Sequence, residues 1–400
     1  MKTRPETSSF TWPGAVLGTV IALGLLDQQV ITPLIAALAG GLRVGVAEVG
    51  LAISAYSLAA ALAALVVGPL SDSHGRRPYL LLGAALMLAS AGMIALTPHY
   101  AAFMVARLAA GFAGGTIAAL AVAWIADLAP YRRRGRVMAF LMGGAMGVAI
   151  LGQVGAAFAA SRFGHQVVYG AIATLAVVAL AMLIALPEAG PRETVPGPLG
   201  RKLAGHLEFL QSPAHRTAAF AAFCMSGSLV GISAYASGWL QEVRAFSLEQ
   251  VGVLYGGLGA AIMAAQLLAG PLSDRLGKRR FSVLASVAVA AMTPVLPWLS
   301  SAALVVAILV FGCLAVARIA AFTALRSELV PRTRRASFLG FSNVFSQLGI
   351  ATAVAAGGLL YPYGFEPVCW LMAGLGALTV VLIRRVPEPG SAAGTASANG

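Results

Sequence analysis

Charged residues are scarce in this chain. Only 10% of its 400 residues are charged, whereas 59% are hydrophobic, and the mean hydropathy is +0.86. A soluble protein of this length has no core large enough for so much apolar surface. The composition therefore excludes an ordinary soluble domain and indicates that many apolar side chains face lipid.

Cysteine and histidine are scarce as well, and their positions exclude the sites that they commonly build. Cys224, Cys313 and Cys369 stand alone in separate apolar segments, and the five histidines lie in or beside loops. No spacing fits a metal site or a disulfide framework, and no cluster combines a nucleophile with a base. We expect no metal, no cofactor and no enzymatic activity.

Long apolar runs dominate what is present. A bilayer core about 30 Å thick requires about 20 apolar residues per helix, and twelve such runs occur. The first is too long for a signal-peptide core, so we expect it to be retained. The sequence predicts an all-α integral membrane protein with spans at 14–37, 48–70, 79–97, 101–124, 137–160, 166–187, 214–239, 250–272, 281–299, 302–325, 336–361 and 365–384.

The basic residues, which give a net charge of +13, alternate from loop to loop. One set of loops holds Arg76, Arg77, Arg132, Arg133, Arg134, Arg136, Lys202, Lys278, Arg279, Arg280, Arg332, Arg334, Arg335, Arg384 and Arg385, and the opposite loops hold only Arg43, Arg162 and Arg244. The positive-inside rule then places both termini in the cytoplasm. Because this pattern reflects topology, we expect no nucleic-acid partner. The strong preference for arginine over lysine suggests a bacterial inner membrane, and a monomer is the simplest expectation.

Two landmarks occur twice. The residues GPLSD occupy 68–72 and 270–274, an offset of 202, and Asp127-Leu-Ala-Pro resembles Glu328-Leu-Val-Pro at an offset of 201. Matching landmarks at half the chain length indicate duplicated six-helix halves in parallel orientation. We predict a cytoplasmic N-terminus at 1–13, bundles at 14–187 and 214–386, a cytoplasmic linker at 188–213 and a disordered cytoplasmic tail at 387–400.

The repeated loops carry a recognisable motif. The pattern G-x-x-x-D-[RK]-x-G-[RK]-[RK] is matched throughout by 270–279, and by 68–77 except that Ser73 replaces a basic residue. In these residues the chain resembles the major facilitator superfamily over 10–386. The resemblance implies two pseudo-symmetric six-helix bundles around a central cavity, and a cytoplasmic gate formed by Gly68, Asp72, Arg76, Arg77, Asp127, Gly270, Asp274, Lys278 and Arg279. The glycines would allow close helix approach. The alternative is that the motif only sets topology and a tight turn.

Two ionisable residues lie in the outer half of the predicted membrane, where a charge is costly and usually functional. Asp27 lies roughly 20 Å into the first span at about 1.5 Å per residue, and we expect it to couple protons to transport. Arg107-Leu-Ala-Ala-Gly111 resembles an R-x-x-x-G element of proton-coupled family members, and Arg107 could meet Asp27. The alternative for both is a static ion pair.

A third buried charge, Arg318, has no acid nearby in the sequence. Its partner could be a substrate carboxylate or phosphate, or backbone carbonyls, or its side chain could reach the interface. Further polar residues of the candidate cavity are Gln28, Tyr235, Gln266, Asn343 and Gln347. For most of these a helix–helix hydrogen bond is the ordinary alternative.

The fifth span is rich in glycine, and Gly147, Gly152 and Gly155 suit close packing. It resembles the antiporter motif of the family incompletely, because no proline follows Gly152. We expect proton-coupled export of a small organic molecule or drug by alternating access. Proton-coupled uptake of an organic acid or similar metabolite is the alternative. A receptor or sensor without transport is a further alternative, although it would usually carry a soluble domain.

Overall fold

The computed structural model describes residues 11–128, 134–186, 205–331 and 334–387. Most of the predicted N-terminal segment, most of the linker 188–213 and the tail from 388 lie outside these ranges. The described residues form twelve long helices: α1 (Thr11–Leu42), α2 (Val46–His74), α3 (Arg77–Leu96), α4 (Tyr100–Leu128), α5 (Arg134–Phe163), α6 (His165–Ile184), α7 (Pro213–Glu242), α8 (Leu248–Leu276), α9 (Lys278–Met292), α10 (Ser301–Ser327), α11 (Arg335–Leu360) and α12 (Phe365–Arg385).

Twelve helices of the described chain are long and apolar enough to cross a membrane, which confirms the predicted fold class. The helical form follows from the surroundings, because a backbone in lipid must satisfy its own polar groups. One predicted span is not a single α-helix. In place of 281–299, α9 ends at Met292 and continues as a 3₁₀ helix, Thr293–Trp298. Pro294 and Pro297 cause the change, because neither has an N–H to donate.

The two halves repeat the same helix pairing. In the first half α1 packs on α5, α2 and α3 on α4, and α3 on α6. In the second half α7 packs on α11, α8 and α9 on α10, and α9 on α12. Each second-half pair is a first-half pair moved by six helices. The pairing therefore carries the sequence repeat into three dimensions and gives two pseudo-symmetric six-helix bundles.

The repeated glycine of the loop motif makes a tight turn in both halves. Gly75 between α2 and α3 and Gly277 between α8 and α9 both have φ of +85°. This backbone conformation is open to glycine and strained for residues with a Cβ. The glycine at this motif position is thus explained by the turn alone, before any gating role is considered.

The halves touch mainly at the ends away from the basic loops, which we call the opposite side; the other end is the basic side. Along α5 and α8, a seam forms in which Ile150, Val154 and Ala157 face Gly259, Gly256 and Gly252 in antiparallel register. An added Cβ at any of these glycines would collide with the facing side chain. The two helices pack closely along the seam because α8 has glycine where α5 has a larger side chain.

The most extensive contact between the halves joins α2 to α11, and further contacts lie on the opposite side. In α7, Ser237 Oγ and Gln241 Nε2 donate hydrogen bonds to the carbonyl of Pro33 in α1, at 3.5 Å and 3.3 Å. The side chain of Tyr235 fills the space beside Gly50 of α2. The molecule is thus closed at the opposite side.

Toward the basic side α5 and α8 separate. Residues 139–146 of α5 and 263–267 of α8 line a common cavity of about 630 Å³. An added Cβ at Gly143 or Gly147 would meet no atom within 4 Å. The same two helices therefore touch toward the opposite side and enclose space nearer the basic side.

Candidate functional site

Asp27 and Arg107 form a buried ion pair in the first half. The Nη1 atom of Arg107 lies 3.2 Å from Oδ1 and 3.1 Å from Oδ2 of Asp27, and both side chains are almost fully buried, at 0% and 1% exposure. Asp27 is in α1 and Arg107 in α4, so the pair joins two helices that are distant in sequence. Each charge neutralises the other at a buried position, where an uncompensated charge would be costly.

The packing of α4 on α2 shapes the surroundings of Arg107. The Tyr56 ring lies under the guanidinium, with 4.8 Å between Cζ and the ring centroid, a cation–π contact. A Cβ at Gly111 would collide with the Tyr56 backbone, and one at Gly114 with the Tyr56 hydroxyl. The glycine of the R-x-x-x-G element thus permits the close helix crossing that brings the Tyr56 ring to Arg107.

A second polar group joins α1 to α5. Gln153 Nε2 donates a hydrogen bond of 2.8 Å to Gln29 Oε1, and Gln29 Nε2 lies 3.5 Å from the sulfur of Met146. Gln28, one residue after Asp27, is exposed and lines both central cavities. The amide side chains therefore present hydrogen-bonding groups to the space beside the ion pair.

The central cavity lies between the halves and has a volume of about 410 Å³. Most of its walls are apolar, and Arg107, Gln28, Gln153, Tyr56, Ser233 and Tyr255 contribute polar groups. Arg107 lines the cavity and Asp27 lies behind it. A few polar groups in an apolar cavity of this size are typical of a small-molecule site.

The second cavity, of about 630 Å³, lies on the basic side of the first. It is formed by α1, α2, α4, α5 and α8, and Gln266 of α8 is one of its few polar residues. Gln28, Leu25 and Tyr56 line both cavities. The two spaces are therefore neighbours along one path through the molecule.

Arg318 is buried in the second half without a carboxylate. Its side chain is 0% exposed, and Nη2 donates to Ser228 Oγ at 3.1 Å and to the Met225 carbonyl at 3.3 Å. Nε and Nη1 have no hydrogen-bond partner among the described residues. Of the partners considered from the sequence, a backbone carbonyl is present, and the side chain does not extend to the interface.

The remaining predicted cavity residues lie elsewhere. Tyr235 is fully buried, donates to the Val354 carbonyl at 2.7 Å and stacks on Tyr361 with ring centroids 5.1 Å apart. It therefore ties α7 to α11. Asn343 is exposed and Gln347 is half-buried, and neither lines the two central cavities.

The second copy of the loop motif makes contacts within its own half. Lys278 Nζ lies 2.6 Å from Glu328 Oε1, which joins the start of α9 to the end of α10. Arg279 Nη1 donates to the Val386 carbonyl at 3.4 Å, just beyond α12. Asp274 lines the same hollow as Lys278 and Glu328. The basic residues here hold helix ends, where carbonyl groups lack helical partners.

The first copy repeats one of these contacts. Arg77 donates to the carbonyls of Ile184 and Leu183 at the end of α6, at 2.6 Å and 3.4 Å, and it corresponds to Arg279 at an offset of 202 residues. Arg76 is the N-cap residue of α3. The side chains of Asp72 and Asp127 lie outside the described part of the chain, so the carboxylates of this copy are not placed.

Close packing falls on different glycines from those that we expected. A Cβ at Gly68, Gly270, Gly147 or Gly155 would meet no atom within 4 Å, because the helices diverge toward the basic side and α5 uses branched residues at the seam. Gly152 is in close contact, with Leu26 of α1. The expectation of a tight approach at the other four positions is wrong for this conformation.

Several site residues escaped the sequence argument. Tyr56 and Gln153 were not singled out, although each stands in an apolar run where a polar group needs a partner. The α8 glycines carry a signal too, since Gly252, Gly256 and Gly259 recur with helical spacing on one face. Their partners on α5 could not be found without the fold.

Comparisons with known proteins agree on the class. The family model of the Major Facilitator Superfamily matches residues 17–317 and 218–399. A D-xylose transporter of Levilactobacillus brevis is 35% identical over 111 residues, 28% of this chain and 24% of that protein. NarK2, a probable nitrate/nitrite transporter of Mycobacterium tuberculosis, is 30% identical over 271 residues, 65% of each chain. YceJ, an uncharacterised MFS-type transporter of Bacillus subtilis, is 23% identical over 376 residues, 93% of this chain and 95% of that protein.

Solved structures agree on the fold. The inward-open xylose transporter XylE of E. coli superposes with a TM-score of 0.74 at 15% identity, covering 94% of this chain and 96% of that one. Identity at this level speaks for the fold alone. The family match over most of the chain, the twelve spanning helices and the repeated motif lead to one conclusion. The chain belongs to the major facilitator superfamily of membrane transporters.

Proposed function

We propose that this transporter is driven by protons that bind to and leave Asp27, and that it exports small organic molecules. The observation that carries the proposal is the buried Asp27–Arg107 pair. A buried carboxylate binds a proton far more readily when its cationic partner is drawn away. Since Arg107 lines the cavity and Asp27 does not, a solute or water that attracts the guanidinium promotes protonation behind it.

The same helix links this site to the closed side. Pro33 follows Asp27 by six positions in α1, a rise of about 9 Å at 1.5 Å per residue. The Pro33 carbonyl accepts the hydrogen bonds from Ser237 and Gln241 of the other half. A change in the α1–α4 attraction therefore reaches a contact that holds the halves together. Protonation alters the balance between two conformations because it changes that attraction in one more than in the other.

The direction that we propose is export. Apolar side chains form most of the cavity walls, which suits the apolar molecules that exporters of drugs and metabolites carry. The cavity region widens toward the basic side, which the positive-inside rule assigns to the cytoplasm. A solute could thus enter the cavity from the cytoplasm in this conformation.

The test is substrate-dependent pH change inside proteoliposomes of defined orientation, with a panel of cationic, neutral and anionic compounds. We expect protons to move opposite to a transported compound in the wild-type protein. Asp27→Asn should abolish the proton movement, because an amide side chain does not bind and release protons at physiological pH. Glu366→Gln is the matched control, since it removes a carboxylate from the start of α12, away from the cavity, and should leave the exchange intact.

Intact proton exchange in Asp27→Asn would disprove the role of Asp27. Solute flux without proton movement in the wild type would point to a uniporter. Movement of protons and solute together would favour the second candidate, proton-coupled uptake of an organic acid. That candidate has an observation of its own, the buried cation Arg318, which lies without a carboxylate partner in the described structure.

A further inference from the structure

Arg318 has hydrogen-bonding capacity that the described residues do not use. Its guanidinium is fully buried. The Nη2 atom donates to both the Met225 carbonyl and the Ser228 hydroxyl, and Nε and Nη1 have no hydrogen-bond partner among the described residues. A buried cation is costly unless an anion or a full set of hydrogen bonds compensates it. The packing of α10 on α7 supplies neither.

The first half shows how the same fold compensates such a charge. The offset of 201 residues that relates Asp127 to Glu328 also relates Asp27 to Ser228. In the first half the carboxylate at this position holds Arg107, and in the second half the hydroxyl of Ser228 holds Arg318. The same offset relates Arg107 to Ile308, so Arg318 lies ten residues further along its helix and is not the counterpart of Arg107. What the two contacts share is a buried arginine held by one position of the first helix of each half, and only the first half supplies a negative charge there.

Arg318 and Ser228 do not themselves line the central cavity, but residues close to them in α10 and α7 do. Phe311, seven residues earlier in α10 and therefore on the same helix face, lines that cavity. In α7, Leu229 and Val230 line it as well, and they directly follow Ser228. Both elements of the Arg318 contact thus lie at the basic-side margin of the cavity wall, one to two helical turns from the enclosed space.

We propose that Arg318 and Ser228 form a subsite for the carboxylate group of the transported molecule, whose apolar body occupies the central cavity. The inference rests on the proposed transport of a small organic molecule through this cavity, and it adds the chemical class of that molecule. The carboxylate accepts hydrogen bonds from Nε or Nη1 of Arg318, and the Ser228 hydroxyl, which in this conformation donates to the Met225 carbonyl at 3.0 Å, turns to donate to the carboxylate. Because Arg318 is enclosed in this conformation, its binding requires α7 and α10 to part at Ser228.

The size of the cavity sets a limit on the ligand. About 410 Å³ accommodates a small aromatic or aliphatic acid, and the mostly apolar walls favour a body without further charges. Arg107 also lines the cavity, but its charge is neutralised by Asp27, so it attracts a carboxylate less strongly than a cation without an acidic partner does. Arg318, which has no carboxylate partner among the described residues, therefore sets the position of the anionic end.

The experiment compares phenylbutyrate with phenylbutyramide, which has the same body without the charge, and with inorganic phosphate. Melting temperatures of the purified protein are measured at constant pH and ionic strength, since a ligand of the folded state raises them. We expect phenylbutyrate to stabilise the wild-type protein and phenylbutyramide and phosphate to have little effect. In Arg318→Gln the affinity for phenylbutyrate should fall roughly tenfold or more, because a charge-assisted hydrogen bond is lost.

Ser228→Asp is the second variant, and it keeps the test valid if Arg318→Gln does not fold. It supplies the internal carboxylate that the first half already has, so it should stabilise the protein without ligand and remove the response to phenylbutyrate. Arg384→Gln, at the exposed end of α12, controls for general charge effects and should respond as the wild type does.

Equal stabilisation by the acid and the amide overturns the subsite, and so does a response that survives in both Arg318→Gln and Ser228→Asp, or a response to phosphate alone. These results are separable from the proposed function. Proton exchange with another solute in the wild type would leave transport standing while the subsite fails. Arg318-dependent binding without any proton movement would leave the subsite standing while proton coupling fails.

Discussion

Two buried arginines occupy helices α4 and α10, which correspond in the two halves, and only one of them has a carboxylate. Arg107 is held by Asp27 at 3.1 Å, whereas Arg318 is held by the Ser228 hydroxyl and a carbonyl. Both side chains are at most 1% exposed. The two arginines lie at different heights in these helices, because the repeat offset of 201 relates Arg107 to Ile308. The comparison is therefore between two independently placed buried cations, one with an internal counter-ion and one without.

The physical reason for the difference lies in what each charge is available to do. The two charges of a buried ion pair neutralise each other, so the pair changes chiefly when a proton binds to the acidic partner. A buried cation without an acidic partner has an uncompensated charge, so it attracts anionic ligands. We therefore assign the energy-coupling role to the first half and the ligand-recognition role to the second, as proposals that the variants below can break or sharpen.

The largest loss of stability is expected when the buried charge of the first half is left without its partner, as Arg318 is in the second half. Arg107→Gln leaves the Asp27 carboxylate buried without its cation, and removal of one partner from a buried pair costs about 3–5 kcal/mol of unfolding free energy. The measurement is chemical or thermal unfolding in detergent. The double variant Asp27→Asn/Arg107→Gln should recover much of the loss, because no uncompensated charge remains.

The exposed residue Arg216 provides the control, since Arg216→Gln should change stability by less than about 0.5 kcal/mol. If Arg107→Gln were no more harmful than this control, the pair would contribute little, and the contrast between the halves would lose its energetic basis.

A smaller effect is expected at the α5–α8 seam, where the halves differ again, because α8 contributes glycines and α5 the bulk. Gly256→Val would overlap the side chain of Val154, and overpacking of this kind costs about 1–3 kcal/mol. The closed conformation at the opposite side should become less populated. Pulsed EPR between spin labels at 162 and 249, in a background without native cysteines, should report a longer distance.

Gly155→Val is the matched substitution on α5, and its Cβ meets no atom within 4 Å. It should leave the distance distribution as in the wild type. A shift of equal size in both variants would mean that helix propensity, and not the seam, is responsible.

The smallest effect is expected at the exposed ion pair of the second half. Lys278 and Glu328 are in contact at 2.6 Å, yet their side chains are 30% and 31% exposed, and such pairs contribute roughly 0.2–1 kcal/mol. Glu328→Gln should therefore lower the unfolding free energy only slightly, and added salt should reduce the difference further. A loss as large as that of Arg107→Gln would show that this contact is a major support of the fold.

Much of the architecture was predictable because it depends on local sequence. Twelve apolar runs of sufficient length give twelve helices in any bilayer, and the two copies of GPLSD fix the repeat. The ends of helices were less predictable, as α9 shows, since two prolines convert its last turns to a 3₁₀ helix. The sequence also identifies the buried charges at 27, 107 and 318, because a charged residue within an apolar run is rare.

By itself the sequence determined the membrane class, the number of helices, the duplication and the identity of the three buried charges. Only the tertiary structure decided that Asp27 neutralises Arg107 while Arg318 has Ser228 in its place, and that α8 meets α5 along three glycines. The reason is that hydropathy and helix formation depend on neighbouring residues in the chain, whereas charge pairing and helix seams depend on which faces the folded helices turn toward one another.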